Sequence, residues 1–193
     1  MSESTNMNGA VRFDLAGGTV RLNSRENCVL IPSQALASLF RELPTHVMVD
    51  LGRTVGHHIA RVLEDELPDL EELPPAKVVE HLGRHLALVG LGSLAMERWG
   101  AALVFTVENS TVLIGSETGA RVDPGDVFLG AVVEGVLARL SGEARVVALS
   151  REDGVVRLLA CNETARQLVL RWVGEGRHYG EILARLNTTR GAA

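Results

Sequence analysis

His81 and His85 stand four residues apart in EHLGRH, the spacing that sets two imidazoles on one face of a helix, as some metal sites require. The stretch lacks the glutamate of an HExxH helix and has no third ligand beside it, so the pair reads as a helix face and no metal is expected. His57 and His58 are adjacent in GHHIA and leave a helix in different directions. Only one of them can lie against a packed surface, and His57, beside Gly56, is assigned to the side that glycine thins. Glu134 lies inside an otherwise apolar stretch, where a buried carboxylate needs a partner. With arginine plentiful, an ion pair at an interface is expected there rather than acid–base work. Cys28 and Cys161 show no CxxC spacing and read as two small core residues kept reduced. No GxSxG elbow is present, and LAGGT and ETGARVDPGD lack the Walker lysine and the strand–glycine–helix context of a phosphate site. These residues therefore yield no catalytic assignment and no cofactor, and the chain is not expected to be an enzyme.

The elements that would position such residues follow from periodicity. VRFDLAGGTVRL (11–22) alternates about Gly17-Gly18 and predicts a hairpin, and CVLIP (28–32) predicts a further strand edge closed by Pro32. Ser33 is placed as the cap of a short helix that ends near Pro44. From 47 to 66, Val47, Leu51, Val55, Ile59 and Leu63 recur at helical spacing, and Pro68 closes the segment. An acidic loop with prolines (67–75) leads to a helix over about 76–89, whose buried side carries Val78, Val79, Leu82, Leu86 and Val89 and which stops at Gly90-Leu91-Gly92. SLAMERW and LVFTVEN form a hairpin about GAA, and the segment 110–126 reads as a loop. A helix over 127–141 follows, then a hairpin of ARVVALS and VVRLLAC about the turn REDG. The chain ends in two helical pieces around Gly174-Glu175-Gly176.

Two of these helices share an uneconomical feature. The first carries Gly52, Gly56 and Ala60 beside its apolar stripe, and the second carries Ala131, Gly135 and Ala138 beside Phe128, Val132, Val136 and Leu140. A glycine inside a helix costs about 1 kcal/mol against alanine, so something is expected to press close to these backbones. The two helices pack closely, either on one another or across a dimer interface.

Composition bounds the rest. The chain of 193 residues is 46% hydrophobic and 22% charged, which fits a globular domain. Its net charge of −5, with no basic stripe, gives no footprint for nucleic acid. The apolar runs are too short to span a membrane, and no leader pattern stands at the N-terminus, so a cytoplasmic location is expected. Residues 1–10 read as a loose tail, 11–161 as the main domain and 162–193 as a helical extension. Leu168, Trp172, Ile182 and Leu186 give that extension apolar faces, which the main domain, a dimer mate or a protein partner must cover.

The element order, with DLGRTVGHHIARVLED, LVGLGSLAMERWG and GAVVEGVLARLSG, resembles the 4-vinyl reductase domain family, the hydrocarbon-binding proteins, which is related to the small subunits of TRAPP tethering complexes. The likeness covers roughly residues 10–160. It implies an α/β (α+β) fold, a twisted antiparallel sheet packed against a layer of helices, frequent homodimerisation through helices, and an apolar pocket between helices and sheet. The glycine pairs Gly52/Gly56 and Gly90/Gly92, and the small pair Ala131/Gly135, match the family's positions. Sensory relatives hold zinc with a cysteine just before the later helix and others in the final hairpin. The matching positions here are Phe128, Arg151 and Leu158, which cannot form that site. Candidates for the pocket or the close packing around it are Gly52, Gly56, His57, Ile59, Phe105, Phe128, Ala131 and Gly135. With 4% aromatic residues, a pocket lined by Val, Leu and Ile suits alkyl chains or small apolar molecules. The resemblance implies a non-enzymatic homodimer that binds a small hydrophobic ligand and acts as sensor or regulator. The alternative is a TRAPP-like adaptor or scaffold dimer with a vestigial pocket.

Overall fold

The computed structural model describes residues 11–22, 26–100, 102–113, 122–142 and 144–190. The Gly17-Gly18 turn joins β1 (Val11–Asp14) to β2 (Thr19–Leu22), with Phe13 opposite Val20, and β3 (Glu26–Cys28) pairs antiparallel with β2 on its other side. The strand expected to continue to Pro32 stops at Cys28, and Val29, Leu30 and Ile31 are exposed beyond it. Helix α1 (Ser33–Glu42) begins at Ser33 itself rather than after it: Pro32 occupies the cap and no side chain bonds there.

Helix α2 (Thr45–Glu66) starts directly after Pro44, whose fixed φ suits the residue before a helix, and ends before Pro68. Helix α3 (Pro75–Leu88) ends as its sequence predicts. Gly90 takes a left-handed φ of 77°, the Leu91 N–H donates to the Leu86 carbonyl and the Gly90 N–H donates to Ala87, which satisfies carbonyls that the helix leaves open.

Strands β4 (Ser93–Trp99) and β5 (Ala102–Glu108) form the next hairpin, with Met96 opposite Phe105. Helix α4 (Pro124–Ser141) starts three residues before the expected 127. The segment DPGD is a helix start: Pro124 is in the first turn, the Asp123 carboxylate accepts from the Gly125 N–H, and the Asp126 carboxylate accepts from the Asp123 N–H. Phe128 therefore lies within the helix and not before it. The last hairpin, β6 (Arg145–Glu152) and β7 (Val155–Cys161), turns on Asp153-Gly154 alone, both with positive φ, so Arg151 and Glu152 belong to the strand rather than to a four-residue turn.

The four strands run in the order β4-β5-β7-β6, all antiparallel. With the six α-helices of the described residues and the three-stranded N-terminal sheet, this is the α+β class that the sequence implies. One face of the four-stranded sheet, carrying Phe105, Val107, Val146, Ala148, Val156 and Leu158, packs in one core with residues of α1 to α4. The other face, carrying Ala102, Val104, Val147, Leu149 and Leu159, is covered by α5 (Glu163–Gly174) and α6 (Tyr179–Arg190) through Val169, Ile182 and Leu183. Among the residues assigned to a partner, Ile182 is fully buried on this face. Trp172 and Leu186 pack against the same cluster, and Leu168 is half-buried. The apolar side of the C-terminal segment is thus covered within the chain. Among the described residues, no helix is long and apolar enough to cross a membrane.

Candidate functional site

The small residues of α2 and α4 meet one another. A Cβ added at Gly52 would lie 2.7 Å from Ala131 Cβ and 2.8 Å from the Phe128 carbonyl oxygen. One added at Gly56 would meet the Val132 carbonyl oxygen, and one at Gly135 would lie 2.5 Å from the Arg53 carbonyl oxygen. Apart from Ala131 Cβ the close neighbours are backbone atoms, so the two helices touch nearly main chain to main chain. Of the two arrangements that the sequence leaves open, the structure adopts the one within a single chain.

Two ion pairs with buried carboxylates tie α4 to its neighbours. Glu134, 3% exposed, accepts from Arg53 Nε at 2.8 Å and Nη2 at 2.5 Å, and also from the Val146 N–H at 2.8 Å, so one carboxylate joins α2, α4 and the start of β6. This is the interface ion pair expected of Glu134. At the other end, Arg151 donates to Asp126 Oδ1 from Nε at 3.0 Å and Nη2 at 2.6 Å, with both side chains buried. Arg151 reaches α4 because β6 shifts register between Ala148 and Ser150, a bulge that turns it to the helix side of the sheet. Burial pushes the Asp126 carboxyl up from its usual range, against the lowering effect of the Asp123 N–H and Arg151. Arg151 is one of the positions at which the resemblance places zinc ligands. In this chain an ion pair links the same helix and hairpin.

Beside α2 lies a cavity of about 380 Å³. Leu51, Val55, Ile59 and Val62 of α2 form one wall, Leu36 of α1 and Phe128 of α4 close one side, and Val89 and Leu91 lie at the end of α3. The N-terminal sheet adds Leu22, Asn27 and Cys28, followed by Ile31. Ile31, Leu51 and Val89 are both lining and exposed, so the cavity opens to solvent beside them. The Phe128 ring is 4.6 Å from the Phe40 ring, centroid to centroid, which holds it in place at the inner end.

The polar groups in this wall are few. Asn27, His58 and His85 face it among aliphatic side chains, together with the Cys28 thiol. His85 Nε2 is 3.1 Å from Glu66 Oε2 and the imidazole is mostly buried, so one ring nitrogen is engaged and the ring is oriented. His58 Nδ1 is 3.1 Å from Arg61. A site of this kind excludes water from most of a small apolar molecule and offers hydrogen bonds to one polar group on it.

The structure divides the eight candidates. Ile59 and Phe128 line the cavity; Gly52, Gly56, Ala131 and Gly135 form the helix contact; Phe105 is buried in the core of the sheet. Both adjacent histidines are exposed, and it is His58 that lines the cavity mouth, which corrects the assignment of His57 to the packed side. His81 and His85 have different neighbours, Arg84 and Glu66. Among the described residues, no group of three or more His, Cys, Asp or Glu side chains is arranged to hold a metal. Sequence reasoning found Leu51, Val55 and Ile59 as an apolar helix stripe. That the stripe borders a cavity, and that Asn27, Cys28 and His85 come to it from two other elements, has no local signal.

No family model matches the sequence, and no curated protein matches it. Among solved structures, the chain is similar to the crystal structure of the phenol-responsive sensory domain of the transcription activator PoxR with phenol. The TM-score is 0.65 at 15% identity, over 88% of this chain and 98% of that chain. At that identity the likeness establishes a shared fold.

Proposed function

We propose that the chain is a non-enzymatic, cytoplasmic, dimeric sensory domain that binds a small apolar molecule carrying one hydrogen-bonding group, and reports its presence to a regulatory partner. The observation that carries this reading is the cavity of about 380 Å³, walled by aliphatic side chains of α1, α2 and the segment after α3, with His58, His85 and Asn27 as its polar points. The likeness in fold to a phenol-responsive sensory domain supports it. So does the family resemblance of the sequence, which implies a ligand pocket between helices and sheet. The reading as an adaptor with a vestigial pocket has less support, because the apolar side of α5 and α6 is already used against the chain's own sheet.

The test is calorimetric titration of the purified protein with phenol and with a straight-chain alcohol of eight carbons. Val55→Phe, which places a ring in the cavity at the loss of one γ-methyl group, is expected to weaken binding at least ~tenfold with a smaller effect on melting temperature. Absence of heat and of any thermal shift with both compounds counts against the ligand, and equal affinity in the Val55→Phe variant counts against this cavity.

A further inference from the structure

Apolar exposure in this molecule is concentrated at one end. Phe13, Leu15, Val29, Leu30 and Ile31 are exposed on and beside the N-terminal sheet, and Leu51 and Val89 at the cavity mouth. Among the described residues after Val89, the exposed large apolar side chains are Trp99 and Leu170. Apolar exposure gathered in this way marks an interaction surface.

The patch also contains an open strand edge. In the order β1-β2-β3, β1 pairs among the described residues with β2 alone, so towards those residues its outer edge presents backbone donors and acceptors without strand partners. The edge of β6, by contrast, is bulged and flanked by α5, with Arg145 bonded to Glu163.

The residues of β1 select what can occupy that edge. Within the hairpin, Arg12 is set directly opposite Arg21, a like-charge cross-strand pair of the kind that destabilises a sheet. On the same face and two residues on, Asp14 accepts from the Gly17 N–H through Oδ1. On the other face lie Val11 and Phe13, followed by Leu15. If two antiparallel β1 strands are related by a two-fold axis through Phe13, residues whose numbers sum to 26 come opposite one another. Phe13 then meets Phe13, each Val11 meets the other copy's Leu15, and each Arg12 meets the other copy's Asp14. Every apolar residue faces an apolar residue, and each guanidinium that faces Arg21 within its own hairpin gains a carboxylate on the other side. The strand is complementary to itself in both charge and hydrophobicity, as an isologous interface requires.

We propose that two copies of the chain join edge to edge along β1, antiparallel and centred on Phe13, so that their N-terminal sheets become one six-stranded sheet. The pairing deepens the dimeric part of the proposed function and rests on it. It also bears on the ligand site. Phe13 lies opposite Val20, which lies opposite Cys28, and Leu22 and Cys28 line the cavity. The apolar face that forms part of the cavity wall then runs on, across the seam, into the second copy.

The experiment measures the dimer dissociation constant of the full chain by sedimentation equilibrium. Arg12→Asp places carboxylate against carboxylate twice across the seam, while giving Arg21 an opposite charge within the hairpin, so the sheet itself is not weakened. It is expected to raise the dissociation constant at least ~tenfold, with unchanged circular dichroism. Arg12→Asp combined with Asp14→Arg restores opposite charges across the seam and is expected to bring the constant back to within about threefold of the parent. A dimer indifferent to Arg12→Asp, or weakened by it and not restored by the second change, overturns the β1 pairing and leaves a dimer formed elsewhere. A parent chain that is monomeric at all concentrations overturns both the pairing and the dimeric part of the proposed function, while the phenol and alcohol titrations judge the ligand site independently.

Discussion

Arg151→Met is expected to lower the free energy of unfolding by about 3–5 kcal/mol, read by denaturant titration near neutral pH. The substitution keeps an unbranched side chain of similar reach and removes only the guanidinium. It leaves Asp126, 1% exposed, without the two hydrogen bonds that Arg151 supplies to Oδ1. Most of the expected loss is the cost of a buried carboxylate stripped of its counter-charge, since desolvation of both partners offsets much of what the intact pair contributes. The direction of the Asp126 pKa agrees, because burial raises it even with Arg151 in place. A carboxyl whose folded pKa is raised contributes stability that is full below the ordinary carboxylate pKa and is lost as pH rises through the folded value. Without Arg151 that pKa rises further, so the deficit of the variant is expected to shrink on acidification from neutral pH toward about pH 5. A deficit that is independent of pH would mean that the loss comes from packing around β6 rather than from the charge.

The same pair shows where sequence reading stops. Helix and strand order was legible because each element keeps one period and ends on its own punctuation, as α3 does at Gly90 and the last hairpin at Asp153-Gly154. Glu134 was legible as a paired carboxylate because burial inside an apolar helix leaves it no other state, although only the fold names Arg53 as the partner, 81 positions away. The Arg151–Asp126 pair was not legible. Arg151 reads as part of a polar turn, and it points inward only because one extra residue in β6 reverses the alternation of the strand. The start of α4 had a usable signal in DPGD, a proline between two capping carboxylates, that the run of turn residues before it obscured. The candidate site divides in the same way. The α2 stripe is periodic and visible, whereas Asn27, Cys28 and His85 reach the cavity from β3 and α3 through tertiary placement alone.

Gly56→Ala is expected to destabilise the chain by about 2 kcal/mol, lowering the melting temperature by roughly 4–8 °C in a thermal scan. Two effects compete. In a helix interior, alanine gains up to about 1 kcal/mol over glycine from backbone entropy alone. At this position the new methyl group meets the Val132 carbonyl oxygen, with Gly135 Cα 3.0 Å away, and these are main-chain atoms of a buried helix that cannot turn aside as a side chain would. The clash therefore outweighs the propensity gain, and α2 has to move away from α4. Gly174→Ala isolates the propensity effect, since a Cβ there meets nothing within 4 Å, and it is expected to leave stability unchanged or raise it slightly. The movement also reaches the ligand site. Gly52 and Gly56 set how deeply α2 sits on α4, while Leu51, Val55, Ile59 and Val62 of the same helix form a wall of the cavity. A helix lifted from the glycine seam displaces that wall, so affinity for the apolar ligand is expected to fall together with stability. A Gly56→Ala chain that melts like the parent and binds as tightly would show that the seam closes without setting the width of the cavity.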